Sequence, residues 1–392
     1  MTSGSSAKIA DVCKLGDGAH ASVARVEEGV PYLTSKNIGH GRLKLEVVDR
    51  ISEEDYERLF PRNSNSITRL QPGDVLTGII GTFNNLYVYK DSDYFGISSA
   101  IAVLRPDIAC VDSNYLYYYL TSPKLQALKE AAASGSVQGY TNLSVLGGLP
   151  ISLPPLEEQR AIAEVLGALD DKIAANTKLL DTSDRLSHAL FSSMCRESTE
   201  TVPLSNTAQF VNGKAFTKDA SGTGRVIIRI AELNSGLGGS TVYNDMDVDD
   251  HHLARPGDIL FAWSGSLTLH RWFRPEGIVN QHIFKVIPSS GYPKWLIYEL
   301  LRHKLEEFKS IAADKATTMG HIQRRHLDEA VAIPAAAEIA KHNELMTSLW
   351  DRVLLTETEN LKLEAIRDTL LPQLMSGKLG VRDAEELVSV VV

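Results

Sequence analysis

Hydrophobic and polar positions change period several times along the chain. Gly73–Gly81 (GDVLTGIIG), Asn85–Asp91 (NLYVYKD) and Ser98–Pro106 (SSAIAVLRP) are short apolar or alternating runs bounded by Gly, Pro, Asn and Asp. They predict strands. A helical pattern follows from Ser113 to Ser134, and a similar one runs from Tyr292 to Ala313. From Pro154 the pattern becomes one long helix, free of Gly and Pro after Pro155 except at Gly167. Pro154 and Pro155 suit its start, and Glu157 and Glu158 suit its first turn. Ile162, Leu166, Leu169, Ile173, Asn176 and Leu180 fall at coiled-coil spacing, with Asn176 fixing register at a cost in stability. About 40 residues make a helix of roughly 60 Å, longer than a small domain is wide, so it needs a partner outside its domain. Ala335–Ser376 is that partner, less regular in its apolar spacing, with Thr356 and Asn360 near its middle.

The pattern occurs twice. Gln71–Phe83 (QPGDVLTGIIGTF) matches Arg255–Leu267 (RPGDILFAWSGSL), and Gly73 and Gly257 are 184 positions apart. Upstream, GVPYLTSKNI from Gly29 matches GRVIIRIAEL from Gly224; downstream, GYTNLSVLGGLPISLP from Gly139 matches GHIQRRHLDEAVAIP from Gly320. Three matches in the same order make a duplicated unit: a mixed globular part, then a long helix.

Composition narrows the class. The chain has 392 residues, 43% hydrophobic and 23% charged, which is ordinary for a globular protein of two or three domains. No apolar run approaches the roughly 18 residues of a membrane helix, and the first residues lack a secretory pattern. Three distant cysteines, Cys13, Cys110 and Cys195, oppose a disulfide framework and offer no zinc knuckle. A reducing cytoplasm is the simplest compartment. The net charge of −9 argues against a wholesale polyanion binder but leaves room for local basic surfaces.

Catalytic patterns are sparse. Gly213-Lys214 and Gly377-Lys378 lack the rest of a P-loop, and no G-x-S-x-G elbow occurs. The only Pro-Pro, Pro154-Pro155, is followed by Leu156, so no amino-methyltransferase tetrapeptide is present. Pro106-Asp107 reads as a turn. His251-His252 beside Asp249 and Asp250 reads as a solvated loop, since adjacent side chains point apart. By contrast, Lys294–Arg325 carries seven basic residues against four acidic ones, and Trp263–Phe273 mixes hydroxyl, aromatic and basic groups. Such side chains supply phosphate affinity and base-edge contacts, and equally serve to solvate loops.

Leu149–Ile173 (LPISLPPLEEQRAIAEVLGALDDKI) resembles the junction of a type I restriction–modification specificity subunit, where a target-recognition domain ends and the first central helix begins. Leu327–Val353 looks like a diverged copy, in which Pro155, Glu157, Glu158 and Gln159 have no close counterparts, and Leu370–Leu379 resembles that family's C-terminal close. The resemblance implies an α+β fold: two mixed α/β target-recognition domains separated by two long antiparallel helices forming a coiled coil, with a pseudo-twofold internal repeat. The implied boundaries are 1–154 and 199–334 for the recognition domains, 155–198 and 335–378 for the helices, and 379–392 for the tail.

It further implies a non-catalytic DNA-reading subunit of a phage-defence system. Each domain would read one half of a split double-stranded DNA target. The helices would dock two modification subunits, which carry S-adenosylmethionine, and restriction subunits using ATP and Mg would join. No cofactor or metal is expected on this chain. Expected DNA-facing residues in the first repeat are Thr34, Lys36, Asn37, Thr82, Asn84, Asn85, Gln138, Tyr140 and Asn142. In the second they are Arg229, Trp263, Ser264, Ser266, Arg271, Gln281, His282, Thr318, Gln323 and Arg324. Val165, Leu166 and Leu169 are expected on a partner-docking flank of the first helix. The rival readings are a coiled-coil adaptor with two protein- or sugar-binding modules, and an enzyme in its own right.

Overall fold

The repeated Pro-Gly-Asp triplet is a turn with a fixed chemistry. In the computed structural model Asp74 N–H donates to Gln71 O (3.0 Å) and Asp258 N–H to Arg255 O (2.9 Å). Gly73 and Gly257 have φ of 91° and 85°, the left-handed backbone that position i+2 of a type II turn requires after proline. Each Asp closes the loop by accepting the i residue's N–H at Oδ2. The turn feeds strands Val75–Gly78 and Ile259–Ala262, fully buried along their length, as their uninterrupted apolar runs demand. The structure describes residues 5–62, 67–79, 85–133, 142–196, 198, 200–218, 220–313 and 320–391.

Two units divide the chain: residues 1–172 with 363–392, and residues 173–362. The division does not fall at the helix ends but within both long helices. In the first unit an antiparallel sheet has the order Cys13–Asp17, Ile101–Pro106, Val75–Gly78, Leu86–Val88. A three-stranded sheet sets Val30–Leu33 between Asp49–Ile51 and Gly96–Ile97, the latter pairing parallel. Tyr32, Leu33, Phe60, Leu76, Ile97 and Val103 fill the core they share. Ser5–Lys8 pairs with Pro150–Leu153 and joins the start of the globular part to its end.

The second unit repeats this plan. Its antiparallel sheet runs Ala208–Asn212, Ile283–Pro288, Ile259–Ala262, Thr268–Arg271. Arg225–Ile228 pairs parallel with Gly277–Val279, flanked by Tyr243–Asn244 and Leu253–Ala254. Thr201–Pro203 pairs with Ala330–Ala332. The duplication reaches single hydrogen bonds: Gly73 N–H donates to Tyr89 O as Gly257 N–H does to Trp272 O, and Gly18 N–H donates to Ile101 O as Gly213 N–H does to Ile283 O.

The long helices are Leu156–Cys195 and Ala336–Met375, 40 residues each. Within the second unit they run antiparallel: Asn176 meets Asn360, and Ser187 meets Met346. Asn176 is buried, and its Nδ2 donates to Asn360 Oδ1 (2.9 Å) and Glu359 Oε2 (3.0 Å). The irregular middle of the second helix is therefore the polar partner of the first helix's seam asparagine. Residues 381–389 (Val381–Ser389) form a short amphipathic helix that buries Ala384 and Val388. Among the described residues no helix is long and apolar enough to cross a membrane.

Candidate nucleic-acid interface

In the second unit four chain segments converge on Trp263. Its N–H donates to His282 O (3.1 Å), and its carbonyl accepts from Ile322 N–H (3.1 Å). Ser264 bridges His321, and Gly265 N–H donates to Gly320 O (2.8 Å). The indole Nε1 donates to Asn212 Oδ1 (2.8 Å). Its ring lies 5.2 Å from the His282 ring, 5.7 Å from Phe284 and 6.4 Å from His321. Gln281 N–H donates to Lys214 O (2.9 Å), which draws in the fourth segment.

His282 has φ 72°, alone among described non-glycine residues in the left-handed region. That backbone costs about 1–3 kcal/mol and is held only where the surroundings over-determine it, as at binding sites. Its Nδ1 is buried without a hydrogen bond among the described residues. Ser266, Gln281, Gln323 and Arg324 are exposed around this centre, while Ser264 is buried. Gln323 precedes the 3₁₀ turn Arg324–Asp328, and Arg324 Nη2 reaches Phe210 O at 3.4 Å. The cluster thus presents an aromatic plate, two imidazoles, amides and a guanidinium at one edge of a rigid sheet. Such groups stack on bases, bond base edges and contact phosphates.

Two of the expected residues are spent elsewhere. Arg229 begins the short helix Ile230–Ser235 and is forked onto Glu232, with Nη2–Oε1 at 2.6 Å and Nε–Oε2 at 2.9 Å. Burial raises the Glu232 acid range, but the bonds from Arg229 and the backbone outweigh it and hold the group below its usual value. Arg271 is a correction: it is buried, with its guanidinium 4.1 Å from the Trp350 ring centroid, so it does not face solvent. Its alternation on strand Thr268–Arg271 turns it toward the long helices.

In the first unit Thr34 N–H donates to Asn37 Oδ1 (3.0 Å), and Asn37 Nδ2 donates to Lys44 O and Val47 O. Asn37 is therefore another correction: buried, it builds the loop rather than facing outward. That loop presents exposed Lys36, and Gly41 N–H donates to Leu86 O (2.9 Å), which brings the loop beside Asn85. Asn142 is exposed, and its Oδ1 caps the helix Leu143–Gly148 at Val145 N–H. Thr82, Asn84, Gln138, Tyr140 and Thr318 lie outside the described residues.

The expected docking residues also need correction. Val165, Leu166 and Leu169 are all buried, at 6%, 0% and 0% exposure, so they form core rather than an open flank. Exposed leucines instead occur further along the helices, at Leu179, Leu186, Leu345 and Leu355.

Sequence reasoning passed over Asn212, Lys214 and His321. The signal was present at Gly213-Lys214, dismissed as a broken P-loop. A Cβ on Gly213 would stand 2.1 Å from Asn280 O, so glycine is required for strand Ala208–Asn212 to lead Lys214 against the Asn280–His282 segment. The His251–Asp249 contact (2.6 Å) is exposed on both sides, and no metal-holding group of three appears among the described residues.

Comparison with known proteins shows what this chain is similar to. Residues 5–182 match the model of the type I restriction modification DNA specificity domain. The MjaIX specificity subunit of Methanocaldococcus jannaschii is 23% identical, with 96% of this chain and 93% of that protein aligned. The HindI specificity subunit of Haemophilus influenzae is 30% identical over 32% of this chain and 28% of its own length. The crystal structure of the type I restriction–modification S subunit from M. genitalium superposes with a TM-score of 0.60 at 17% identity, covering 94% of this chain and 95% of that one. Residues 5–182 thus match a DNA specificity domain of the restriction–modification class, and the chain along its length is similar to type I restriction enzyme specificity subunits.

Proposed function

We propose that this chain is the non-catalytic DNA-reading subunit of a type I restriction–modification complex, each unit reading one half of a bipartite double-stranded target. The observation that carries this reading is the duplication itself. Two equivalent sheets each present polar loops, around Thr34, Lys36 and Asn85 in one unit and around Trp263, Gln281 and Arg324 in the other. A long helix pair follows from the same duplication and supplies a spacer. Two modification subunits, carrying S-adenosylmethionine for adenine methylation, dock on the helices, where Leu179, Leu186, Leu345 and Leu355 offer exposed apolar contact. Restriction subunits supply ATP- and Mg-dependent steps. The work is cytoplasmic, where the DNA is.

The test is to co-express the chain with its modification partner and sequence the methylated adenines. A split motif of two short parts with a fixed gap is expected, and Trp263→Ala should relax or abolish one part only. A single contiguous motif, or no methylation directed by this chain, overturns the reading. An adaptor for proteins or sugars would show no steep loss of DNA affinity with salt.

A further inference from the structure

Where the strands Val75–Gly78 and Ile259–Ala262 end, both units build the same backbone cradle. The Gly18–Ile101 and Gly213–Ile283 bonds are one rung of it. Ser98 N–H donates to Leu33 O (2.9 Å) as Asn280 N–H does to Ile228 O (3.1 Å). Ser99 N–H donates to Ala19 O (3.1 Å) as Gln281 N–H does to Lys214 O (2.9 Å). Ile79 N–H donates to Ala100 O (3.0 Å) as Trp263 N–H does to His282 O (3.1 Å). Ala19 and Ser98 form a parallel bridge, and so do Lys214 and Asn280. The cradles therefore match residue for residue: Ala19 with Lys214, Ile79 with Trp263, Ser99 with Gln281, and Ala100 with His282.

The side chains on them do not match. In the first unit Ala19, Ser99 and Ala100 are short, and Ile79 is buried. In the second, Lys214 and Gln281 are exposed, and Trp263 and His282 are half-buried. The backbone departs at one residue as well. His282 has φ 72°, whereas Ala100, like every other described non-glycine residue, lies outside the left-handed region. An L side chain takes that backbone at a cost. The first unit makes the same hydrogen bonds without it, so the fold does not demand the strain. The strain answers instead to where the His282 ring must stand. That ring lies 5.2 Å from the Trp263 ring, which Asn212 holds through the indole nitrogen. Its Nδ1 is buried with no hydrogen bond among the described residues, which leaves it open to a partner from outside the chain.

We propose that His282 and Gln281 are specificity-determining residues that read base edges in one half of the target, and that Ala100 and Ser99, at the same places in the first unit, read none. The inference rests on the function proposed above and adds which residues discriminate. An imidazole supplies one donor or one acceptor, and a glutamine amide supplies both, the pattern that suits adenine. The two halves of the target are then read by different parts of one scaffold: by the cradle in the second unit, and by the loop bearing Lys36 in the first.

The test is to co-express the full chain with its modification partner, sequence the methylated adenines, and record the unfolding midpoint of each variant. Glycine adopts a positive φ freely, so His282→Gly should keep or raise the midpoint. Discrimination at one position in one half of the motif should nevertheless fall about tenfold. Gln281→Ala should relax the same position or its neighbour. His282→Asn tolerates the left-handed backbone but changes the polar group, and should alter the base preferred at that position. Ser99→Ala and Ala100→Gly should leave both halves unchanged. A split motif that His282→Gly and Gln281→Ala leave intact overturns the inference, as does a wild-type motif from His282→Asn or a half relaxed by Ser99→Ala. If His282→Gly lowers the midpoint, the exposed Gln281→Ala decides, and an intact motif there overturns the inference. A wild type that directs no split motif fails the proposed function and this inference with it, a result distinct from a split motif that the variants leave untouched.

Discussion

The two units share a backbone plan and differ in how the globular part is fastened to the long helices. In the first, Gln159 is buried and bonds three backbone groups: it accepts from Asp112 N–H and donates to Cys110 O and Pro154 O. The corresponding place in the second helix holds Ile339, packed on the core beside a groove lined by Tyr292, Ile333, Ala340 and Asn343. Further along, Tyr118 OH donates to Asp170 Oδ2 (2.8 Å), and Arg367 of the second long helix donates to Asp170 Oδ1 (2.8 Å). The second unit instead uses a cluster of Arg271, Asp184, Arg302, Glu299 and His188. Turns and strand pairings, which satisfy backbone groups locally, stayed alike after duplication. The side chains closing the junctions were free to diverge, because any set that satisfies the buried groups suffices.

Breaking the junctions should separate the units most clearly. Gln159→Leu removes the side-chain partner of three part-buried backbone groups, at about 1 kcal/mol each before water replaces it, so a net loss of about 2 kcal/mol is expected. Ile339→Ala removes partly buried apolar surface and should cost about 1 kcal/mol. Urea unfolding with exchange-resolved readout checks both. Equal losses would mean that Gln159 is not the fastening of the first unit.

The ion pair comes next. Asp170→Ala leaves Arg367, 17% exposed, with only the more open Asp368 beside it. The pair is only partly buried, so removing one partner should cost about 1–2 kcal/mol, confined here to the first unit. Tyr118→Phe loses one hydrogen bond and should cost about 1 kcal/mol. If Asp170→Ala were neutral, the Arg367 contact would be incidental.

These junctions also show what the sequence displays and what it hides. The strands, the duplication and the two long helices were legible, because each rests on local periodicity or on a segment that recurs; the antiparallel arrangement was expected from the family resemblance. Asn176 was legible as a seam polar group, and its partner Asn360 only as an irregularity. The sites were less so. Arg271 reads as an exposed cation, and nothing local shows Trp350 some 80 positions later covering it. Asn37 reads as a loop donor, yet its amide closes the loop on Lys44 and Val47. Val165, Leu166 and Leu169 carry apolar character, which does not distinguish core from docking face.

A smaller contrast concerns pH. In the second unit burial raises Glu357, on the second long helix, from its ordinary value to about 7. A raised carboxyl binds its proton more tightly in the folded state. Its contribution to stability is therefore full below about 4.5 and is lost as pH rises toward 7. His252 and His270, lowered by burial, act oppositely: their contribution is present above about 6.5 and fades as pH falls. The difference between wild type and Glu357→Gln isolates the first effect, and should shrink as pH rises from 5 to 7. In the first unit the tie is formed by Asp170, Arg367 and the Tyr118 hydroxyl, which burial and Asp170 push far up.

The smallest effects belong to the exposed cations, and they sharpen the comparison at the DNA face. Lys36 and Arg324 are the cations that the proposed function assigns to the DNA faces of the two units, each exposed and each a single charge. Replacing one phosphate contact should weaken binding uniformly across sequences and lower the salt slope by about one unit. If the two units contribute alike and independently, Lys36→Ala and Arg324→Ala should have equal effects on the slope and add in the double variant. Arg324 differs in one respect, its long contact with Phe210 O, which orients the guanidinium. An Arg324→Lys variant keeps the charge and gives up the fork. A slope restored by lysine assigns Arg324 to phosphate, where a point charge suffices. A slope restored while one half of the methylated motif relaxes assigns it to a base edge, where the two-pronged geometry of guanidinium to guanine is lost.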